Sequence, residues 1–422
     1  MPDGLRNSQV SAIIENGAAT YFAGQAPDEG FGRFVTLLGD IDGDGHDDMA
    51  IRARDSARET LIVFGQEDFF DQPAAGLRTA TLDQSGQGYG NAFADIAAAG
   101  DVNGDGHDDM VYVRDGDAGI TVIFGTADGF GATITPDTLD PAAHWTLSYD
   151  SSGGNLSVAS AGDVNGDGID DLLIGDWRAD GEAFLYGRAT VVHGSADPAA
   201  RATSVDGLSA GQGFTLIGEG YPDWAGQRVT SAGDVNGDGY DDILIGARDG
   251  ATLAASPGHA YLVYGGPDAR PLEARLTPAT GSVIRFDGRT TGDGAGTDLA
   301  GIGDFNGDGF DDFVIGTEDD YAAVIFGSDS AFPPVVDLDT LSSDQGVLLE
   351  GGGAHADVLG ARVAGAGDLN GDGFDDLLLS NYIGSSGGTR PAGDVMVLFG
   401  TDAPLSGILR QDDLLHDQGV II

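Results

Sequence analysis

The sequence contains no cysteine, which excludes disulfide bonds, thiolate metal sites and cysteine catalysis. It also contains no lysine, so a Schiff-base lysine and the phosphate-binding lysine of a P-loop are excluded. Basic residues are scarce, because 19 arginines stand against 69 acidic residues and the formal net charge is -50. A chain this acidic lacks the clustered cations that nucleic acids and anionic membrane surfaces attract. We therefore expect neither as a partner.

Long apolar runs are also missing. No stretch approaches about 18 consecutive apolar residues, so membrane insertion is not expected. Residues 1–7 show no basic segment followed by an apolar run, so no N-terminal signal peptide is predicted. The last four residues, 419–422, form an apolar, strand-like run, from which we expect the chain to be truncated at its C-terminus.

Glycine is abundant: it makes up 71 of 422 residues, roughly 17%, whereas globular proteins contain about 7% glycine. The glycines follow no three-residue period and there are only 15 prolines, which excludes a collagen helix. Hydrophobic residues make up 41% of the chain, enough to bury a core, so a folded protein is expected.

An internal repeat organises the chain. The nine-residue pattern Asp-x-Asn/Asp-Gly-Asp-Gly-x-Asp-Asp occurs six times, at intervals of 61 to 71 residues. We call these segments the acid loops and number their places one to nine. The loops begin at Asp40, Asp101, Asp163, Asp234, Asp304 and Asp368.

The residues around each acid loop repeat as well. A short run of small and apolar residues precedes the loop, and a β-rich run such as residues 242–246 follows it. A third run ends in aromatic-glycine, as in Phe64-Gly65 and Phe326-Gly327, and a weaker fourth run follows. Four short strands per repeat predict one four-stranded antiparallel blade, and blades bury their faces by stacking in a ring. The fold class is therefore predicted as an all-β propeller with six complete repeats.

This pattern resembles the FG-GAP repeat of integrin α-subunit propellers and their bacterial relatives. The resemblance covers about residues 19–422, carried by the acid loops, the aromatic-glycine strand ends and a glycine before the next inner strand (Gly226, Gly296, Gly360). It implies one propeller domain over 19–422 after an N-terminal segment, 1–18. Such propellers usually close with seven blades, and strand-like runs stand at both ends, 19–24 and 417–422. Six or seven blades therefore stay open.

The acid loops predict calcium sites. Side chains at places one, three and five can point their oxygens inward, place seven offers its carbonyl, and the Asp at place nine closes the shell. Such an all-oxygen cage suits Ca²⁺. About six sites are expected. The predicted ligands are Asp40, Asp42, Asp44, His46, Asp48; Asp101, Asn103, Asp105, His107, Asp109; Asp163, Asn165, Asp167, Ile169, Asp171; Asp234, Asn236, Asp238, Tyr240, Asp242; Asp304, Asn306, Asp308, Phe310, Asp312; Asp368, Asn370, Asp372, Phe374 and Asp376.

Two other interpretations of the loops fit the pattern less well. An EF-hand would close with a Glu at place twelve between helices, which this pattern lacks. Plain hairpin turns explain the glycines but not four or five acids at fixed places in every copy. The Asp at place eight, as in Asp170 and Asp241, is expected to cap the turn or to stand behind the ligands.

The face opposite the acid loops is the predicted partner face, as the resemblance implies. Its connections carry Trp, Tyr and Arg, which are common anchors at interfaces and can stack on sugars. The candidate ligand-binding residues are Trp177, Arg178, Tyr221, Trp224, Arg248 and Tyr382. The alternative for Trp177 and Trp224 is packing between blades.

Two functions follow. The first is a calcium-stabilised, extracellular or cell-surface recognition or adhesion module that binds a protein or a carbohydrate. The second is a calcium-dependent polysaccharide lyase or hydrolase on the same scaffold, since fold alone does not decide function. No Gly-x-Ser-x-Gly or His-Glu-x-x-His motif is present, and no catalytic residue is assigned, so the first is favoured.

Overall fold

The structure is a computed structural model. It describes residues 34–52, 59–66, 77–83, 96–114, 119–149, 156–179, 186–220, 222–248, 256–267, 270–278, 282–351, 359–381, 394–403, 405, 407–410 and 418–421. Among these residues, no helix has the length and hydropathy needed to cross a membrane.

Six small sheets make up the described chain, and each is built around four consecutive antiparallel strands. From the inner to the outer strand, the first three sheets are β1 (Phe34–Gly39), β2 (Asp48–Arg52), β3 (Glu59–Val63), β4 (Thr79–Asp83); β5 (Ile96–Gly100), β6 (Asp109–Arg114), β7 (Gly119–Ile123), β9 (His144–Ser148); β10 (Leu156–Gly162), β11 (Asp171–Asp176), β12 (Arg188–Val192), β13 (Gly213–Ile217). The last three are β14 (Arg228–Gly233), β15 (Asp242–Ala247), β16 (His259–Val263), β18 (Val283–Asp287); β19 (Asp298–Gly303), β20 (Asp312–Gly316), β21 (Tyr321–Ile325), β23 (Gly346–Glu350); β24 (Leu359–Gly367), β25 (Asp376–Asn381), β26 (Asp394–Leu398), β28 (Gly419–Ile421).

Short parallel strands link neighbouring blades. Each precedes the outer strand of its own blade in the sequence and pairs with the outer strand of the preceding blade. The pairs are β8 (Thr133–Ile134) with β4, β17 (Glu273–Arg275) with β13, β22 (Val335–Asp337) with β18, and β27 (Ile408–Arg410) with β23. Among the described residues, 3-10 helices lie in connections between the third and outer strands of a blade, at Pro136–Thr138, Val205–Gly207 and Leu338–Thr340.

The core lies between the sheets rather than inside any one of them. Five apolar clusters join successive sheets; the one between the third and fourth combines Val191 and Phe214 with Ile243 and Tyr261. A second strand such as β15 is therefore buried at every residue, because both of its faces are covered.

The predicted all-β propeller of four-stranded blades is confirmed, with six blades in a ring. The C-terminal run supplies β28, the fourth strand of the sixth sheet, which pairs with β26. The N-terminal run at 19–24 lies outside the described residues.

Neighbouring blades are joined by a reciprocal pair of hydrogen bonds between acid loops, which we call the clasp. The backbone N–H at place one donates to the place-eight carboxylate of the next loop over 2.7–3.0 Å, as Asp163 N does to Asp241 Oδ2. The N–H at place eight donates back to the carbonyl at place one over 3.2–3.4 Å. The clasp occurs at five junctions, so place eight ties blades together instead of capping its own turn.

The glycine before place one makes room for the clasp. Gly162 has φ +69°, and a Cβ there would lie 2.2 Å from Asp241 Oδ2. Only glycine combines that left-handed backbone with such a close approach. The same glycine stands before the first five loops, which explains why the short run preceding each of them ends in Gly.

The junction between the sixth and first sheets differs from the other five. The apolar side chain at place two is at most 3% exposed in the first five loops, but Leu369 in the sixth is 57% exposed. A Cβ on Gly367 would meet nothing within 4 Å. On the other side of this junction, Val35 and Leu37 of β1 are exposed, as is Asp47, the place-eight residue of the first loop. In the described part of the chain, this junction lacks the clasp.

The clasp predicts a matched pair of stability effects. Asp241→Ala removes the acceptor of the partly buried Asp163 N–H and should lower the free energy of unfolding by about 1–3 kcal/mol. Asp47→Ala deletes the same side chain at the unclasped junction and should change it by less than about 0.5 kcal/mol. Urea unfolding of both variants measures this difference, and equal losses would contradict a role for place eight between blades.

Candidate functional site

The six acid loops lie on one face of the propeller. In every sheet the loop connects the inner strand to the second strand, as residues 163–170 connect β10 to β11. The clasps hold successive loops side by side. Because each loop carries four or five acids, this face concentrates negative charge along most of the ring.

Inside each loop the first aspartate organises the turn. Asp101 Oδ1 accepts hydrogen bonds from Gly104 N at 2.7 Å and Asp105 N at 3.0 Å, while Oδ2 accepts one from Gly106 N at 2.7 Å. Asp105 Oδ1 then accepts from His107 N at 3.1 Å. These bonds wrap the backbone around the place-one carboxylate, so the side chains at places one and five share one tight turn.

The aspartate at place nine is buried and fastens the loop to its sheet. Asp109 is 0% exposed; its Oδ1 accepts from Gly125 N at 2.8 Å and its Oδ2 from Val102 N at 3.1 Å. Gly125 is the glycine of the aromatic-glycine strand end, which explains why that pair recurs with the loop. Burial raises the pKa of Asp109 to about 8, since the two backbone donors offset only part of the lost hydration.

The same pKa shift recurs around the ring. Burial raises the pKa of Asp171, Asp242 and Asp312 to about 8, and that of Asp48 to about 6. A buried carboxylate near other acids is costly to ionise, and a bound cation is one way to offset that cost.

The first loop brings three carboxylates among the predicted ligands together. Asp40, Asp42 and Asp48 each place a carboxylate oxygen within 4.8 Å of the other two. Asp42 is 4% exposed; it contacts the Arg78 guanidinium but receives no well-aligned hydrogen bond among the described residues. The first loop is the copy with Asp rather than Asn at place three, and Arg78 partly balances that additional charge.

The asparagines at place three face the loop in two ways. Asn236 and Asn306 accept the place-five N–H through Oδ1 at 2.8 and 2.9 Å. Asn103 and Asn165 donate through Nδ2 to the buried place-nine carboxylate. In these four loops the place-three side chain lies within the loop, so places one, three, five and nine surround the same turn.

On the opposite face, three of the predicted ligand-binding residues form one cluster, which we call the aromatic shelf. The rings of Trp177 and Trp224 have centroids 4.6 Å apart, and the Arg178 guanidinium lies 4.2 Å above the Trp177 ring. Both tryptophans are half-buried and Arg178 is exposed. The tryptophans therefore pack against each other between the third and fourth sheets and also reach the surface.

The backbone of Trp224 is in an unusual conformation. Its φ is +60°, the one left-handed value at a non-glycine residue among those described. The next copy of this connection reads Asp293-Gly294-Ala295-Gly296 where this one reads Asp223-Trp224-Ala225-Gly226, and Gly294 has φ +63°. A bulky residue thus occupies a position built for glycine. Strain of this kind is commonly retained at functional sites.

Of the other candidates, the structure describes Arg248. Arg248 forms an ion pair with Glu318, Nη1 to Oε1 at 2.7 Å. Tyr221 and Tyr382 lie outside the described residues.

Sequence reasoning missed a set of buried tyrosine–aspartate contacts beneath this face. Tyr261 donates to Asp223 Oδ2 at 3.1 Å and Tyr321 to Asp293 Oδ2 at 2.8 Å, each linking a third strand to the connection before its blade. His259 Nε2 lies 2.6 Å from Asp223 Oδ1. Tyr261 is 0% exposed, so these buried contacts hold the connection that contains Asp223 against the third strand. The recurring Asp-x-Ala-Gly before the inner strand was the available sequence signal.

Comparisons with known proteins agree on the repeat. The family model described as FG-GAP repeat matches residues 225–264. The chain is 29% identical over 161 residues to BBSome complex member BBS7 of Mus musculus, covering 37% of this chain and 18% of that protein. It is 30% identical over 162 residues to integrin alpha-IIb of Mus musculus, covering 36% of this chain and 14% of that protein. The matched parts thus span less than a fifth of these relatives.

A solved structure of BBS1N in complex with ARL6DN matches 88% of this chain and 82% of its own, at 10% identity and a TM-score of 0.41. At that score the likeness carries no functional argument.

The strained Trp224 predicts an order of stability between two substitutions. Both Trp224→Ala and Trp224→Gly remove the indole, but alanine keeps the left-handed strain and glycine relieves it. Trp224→Gly should be more stable than Trp224→Ala by about 0.5–1 kcal/mol in urea unfolding. At an ordinary helical or strand position the order is reversed, so an alanine variant that proves the more stable would contradict the strain.

Proposed function

We propose that this FG-GAP, integrin alpha-like β-propeller is a recognition and adhesion module at the cell surface or outside the cell, with calcium in its acid loops and a partner on the opposite face. The aromatic shelf carries the proposal. It is a half-buried pair of tryptophans with an exposed arginine, and the Trp224 backbone is strained at a position where the neighbouring copy has glycine. We further propose that one domain spans 19–422.

The composition of the shelf supports partner binding. Half-buried tryptophans offer a large, rigid apolar surface, and tryptophan and arginine dominate the binding energy at many interfaces. One relative is by name a member of a protein complex, and others are integrins, which favours a protein partner. A carbohydrate is the second candidate, since flat rings also stack on sugars.

The acid loops support a structural role for calcium. In the first loop, carboxylate oxygens lie within 4.8 Å of one another, and such pairs repel by about 3 kcal/mol at an effective dielectric near 20. The donor atoms are oxygens, which suit a hard divalent cation, and the place-nine carboxylates are buried. When bound, Ca²⁺ would supply positive charge inside each turn, held by the side chains at places one, three, five and nine and the carbonyl at place seven.

Calcium should raise the thermal stability of the protein, because a ligand that binds only the folded state adds about 2.7 kcal/mol per site at 100 times its Kd. The combined variant Asp105→Asn, Asp167→Asn, Asp238→Asn and Asp308→Asn retains an acceptor for the place-seven N–H but removes four charges. Its calcium-induced rise in Tm, measured by calorimetry in calcium and in EDTA, should be much smaller.

The matched control changes four exposed aspartates outside the loops, Asp128, Asp197, Asp329 and Asp402, to asparagine. Its calcium response should equal that of the wild type. An identical Tm of the wild-type protein in calcium and in EDTA would contradict the calcium proposal.

The partner face is tested by selecting binders from a displayed peptide library and from a glycan array on immobilised protein. Trp177→Ser with Arg178→Ser should weaken the selected interactions at least about 30-fold, since tryptophan anchors at interfaces are worth about 2 kcal/mol or more. Arg410→Ser, an exposed arginine on β27, is the control and should leave them unchanged. Selected binders insensitive to the shelf substitutions would move the partner site elsewhere and overturn this assignment.

A further inference from the structure

A cavity of about 610 Å³ runs along the ring axis and is lined by all six inner strands. Its walls are largely apolar, with Val158, Val229, Leu299 and Val363 among the lining residues. A pocket of this size encloses a drug-sized ligand or a few residues of a peptide. The cavity is separate from the acid loops and from the aromatic shelf.

The end of the cavity away from the acid loops carries a small charged group. Arg228, Asp298 and Arg362 lie on three successive inner strands at the same register, each paired with the corresponding residue of its second strand. Arg228 Nε lies 3.2 Å and Arg362 Nη1 4.0 Å from the Asp298 carboxylate. Asp298 also accepts the Val363 N–H at 3.1 Å. We call this group the channel mouth.

The charge of the channel mouth is the reverse of that of the whole chain. Two guanidinium groups face one carboxylate among the described lining residues, whereas the protein carries a net charge of -50. Asp298 is 8% exposed, while the Arg362 side chain is 58% exposed, so the positive end of the group faces solvent. A second carboxylate beside Arg362 would balance the charge and could accept two parallel hydrogen bonds from its guanidinium.

The cavity also opens sideways at the junction that lacks the clasp. Val35 of β1, Leu378 of β25 and Val395 of β26 line it there, and Val35 and Val395 are 60% and 39% exposed. An occupant would therefore meet apolar side chains along its length and arginine at one end. None of the described lining residues is aromatic, so the cavity offers no ring for a sugar to stack on.

From this charge complementarity and apolar lining, we propose that the central cavity binds a peptide segment with one carboxylate among apolar residues, the carboxylate lying against Arg362 and Arg228. This inference rests on the proposed recognition function. It specifies the chemistry of a ligand at a second site, separate from the aromatic shelf. A strongly polyanionic ligand is disfavoured, because the net charge of the protein repels it.

The test uses fluorescently labelled hexapeptide pools of leucine, valine and serine with one central aspartate, and identical pools with asparagine. Fluorescence polarisation on the full chain should show at least about tenfold tighter binding of the aspartate pools. Arg362→Gln, a largely exposed substitution, should abolish the preference. Arg410→Gln removes an equally exposed arginine outside the cavity and should leave it intact.

Equal binding of the two pools, binding of neither, or an unchanged preference in Arg362→Gln would overturn the proposal. So would a preference that disappears in Arg410→Gln instead. Melting curves of both variants should match the wild type, which excludes loss of folding as the cause. The recognition function is judged separately by the Trp177→Ser and Arg178→Ser variant, scored on those selected binders whose affinity Arg362→Gln leaves unchanged.

Discussion

The propeller depends on hydrogen bonds that run between acid loops of neighbouring blades. A single blade has two apolar faces and cannot bury them alone. The place-eight carboxylate of one loop accepts a hydrogen bond from the place-one N–H of the preceding loop. The place-eight N–H donates back to the place-one carbonyl, which completes the clasp. Stacking thus positions the loops, and the loops in turn fix the spacing of the blades. The apolar clusters between the sheets supply the burial that this spacing makes possible.

This way of joining blades concentrates charge. Aspartates that wrap a turn, fasten a strand end and reach a neighbouring blade are all held within the same few ångströms. The place-nine groups are buried and their pKa values are raised, so an unneutralised loop works against the fold. In the account proposed here, a cation in each loop relieves that repulsion and strengthens the contact between blades. The opposite face, free of this constraint, carries the strained Trp224 and the aromatic shelf.

Much of the fold could be predicted from the sequence because its information is local and repeated. The loop pattern marks the connection between the inner and second strands, and the aromatic-glycine pair marks the end of the third. The clasp could not be predicted, because Asp163 and Asp241 are 78 residues apart. The local sequence of a loop does not show that its place-eight carboxylate accepts a hydrogen bond from the backbone of another loop. The same holds for Tyr261 and Asp223, and for the register that gathers Arg228, Asp298 and Arg362. The proximity of Trp177 and Trp224 likewise depends on how two blades meet, so the sequence left partner binding and packing equally open.

The central claim is that cation binding and the clasp stabilise each other. The most direct test is hydrogen–deuterium exchange at the place-one amides of Asp101, Asp163 and Asp234, with the exchange rates in calcium compared with those in EDTA. These amides donate across the junctions, so their exchange reports each clasp opening. The account predicts markedly slower exchange in calcium at these positions. Exchange that is the same with and without calcium would contradict it.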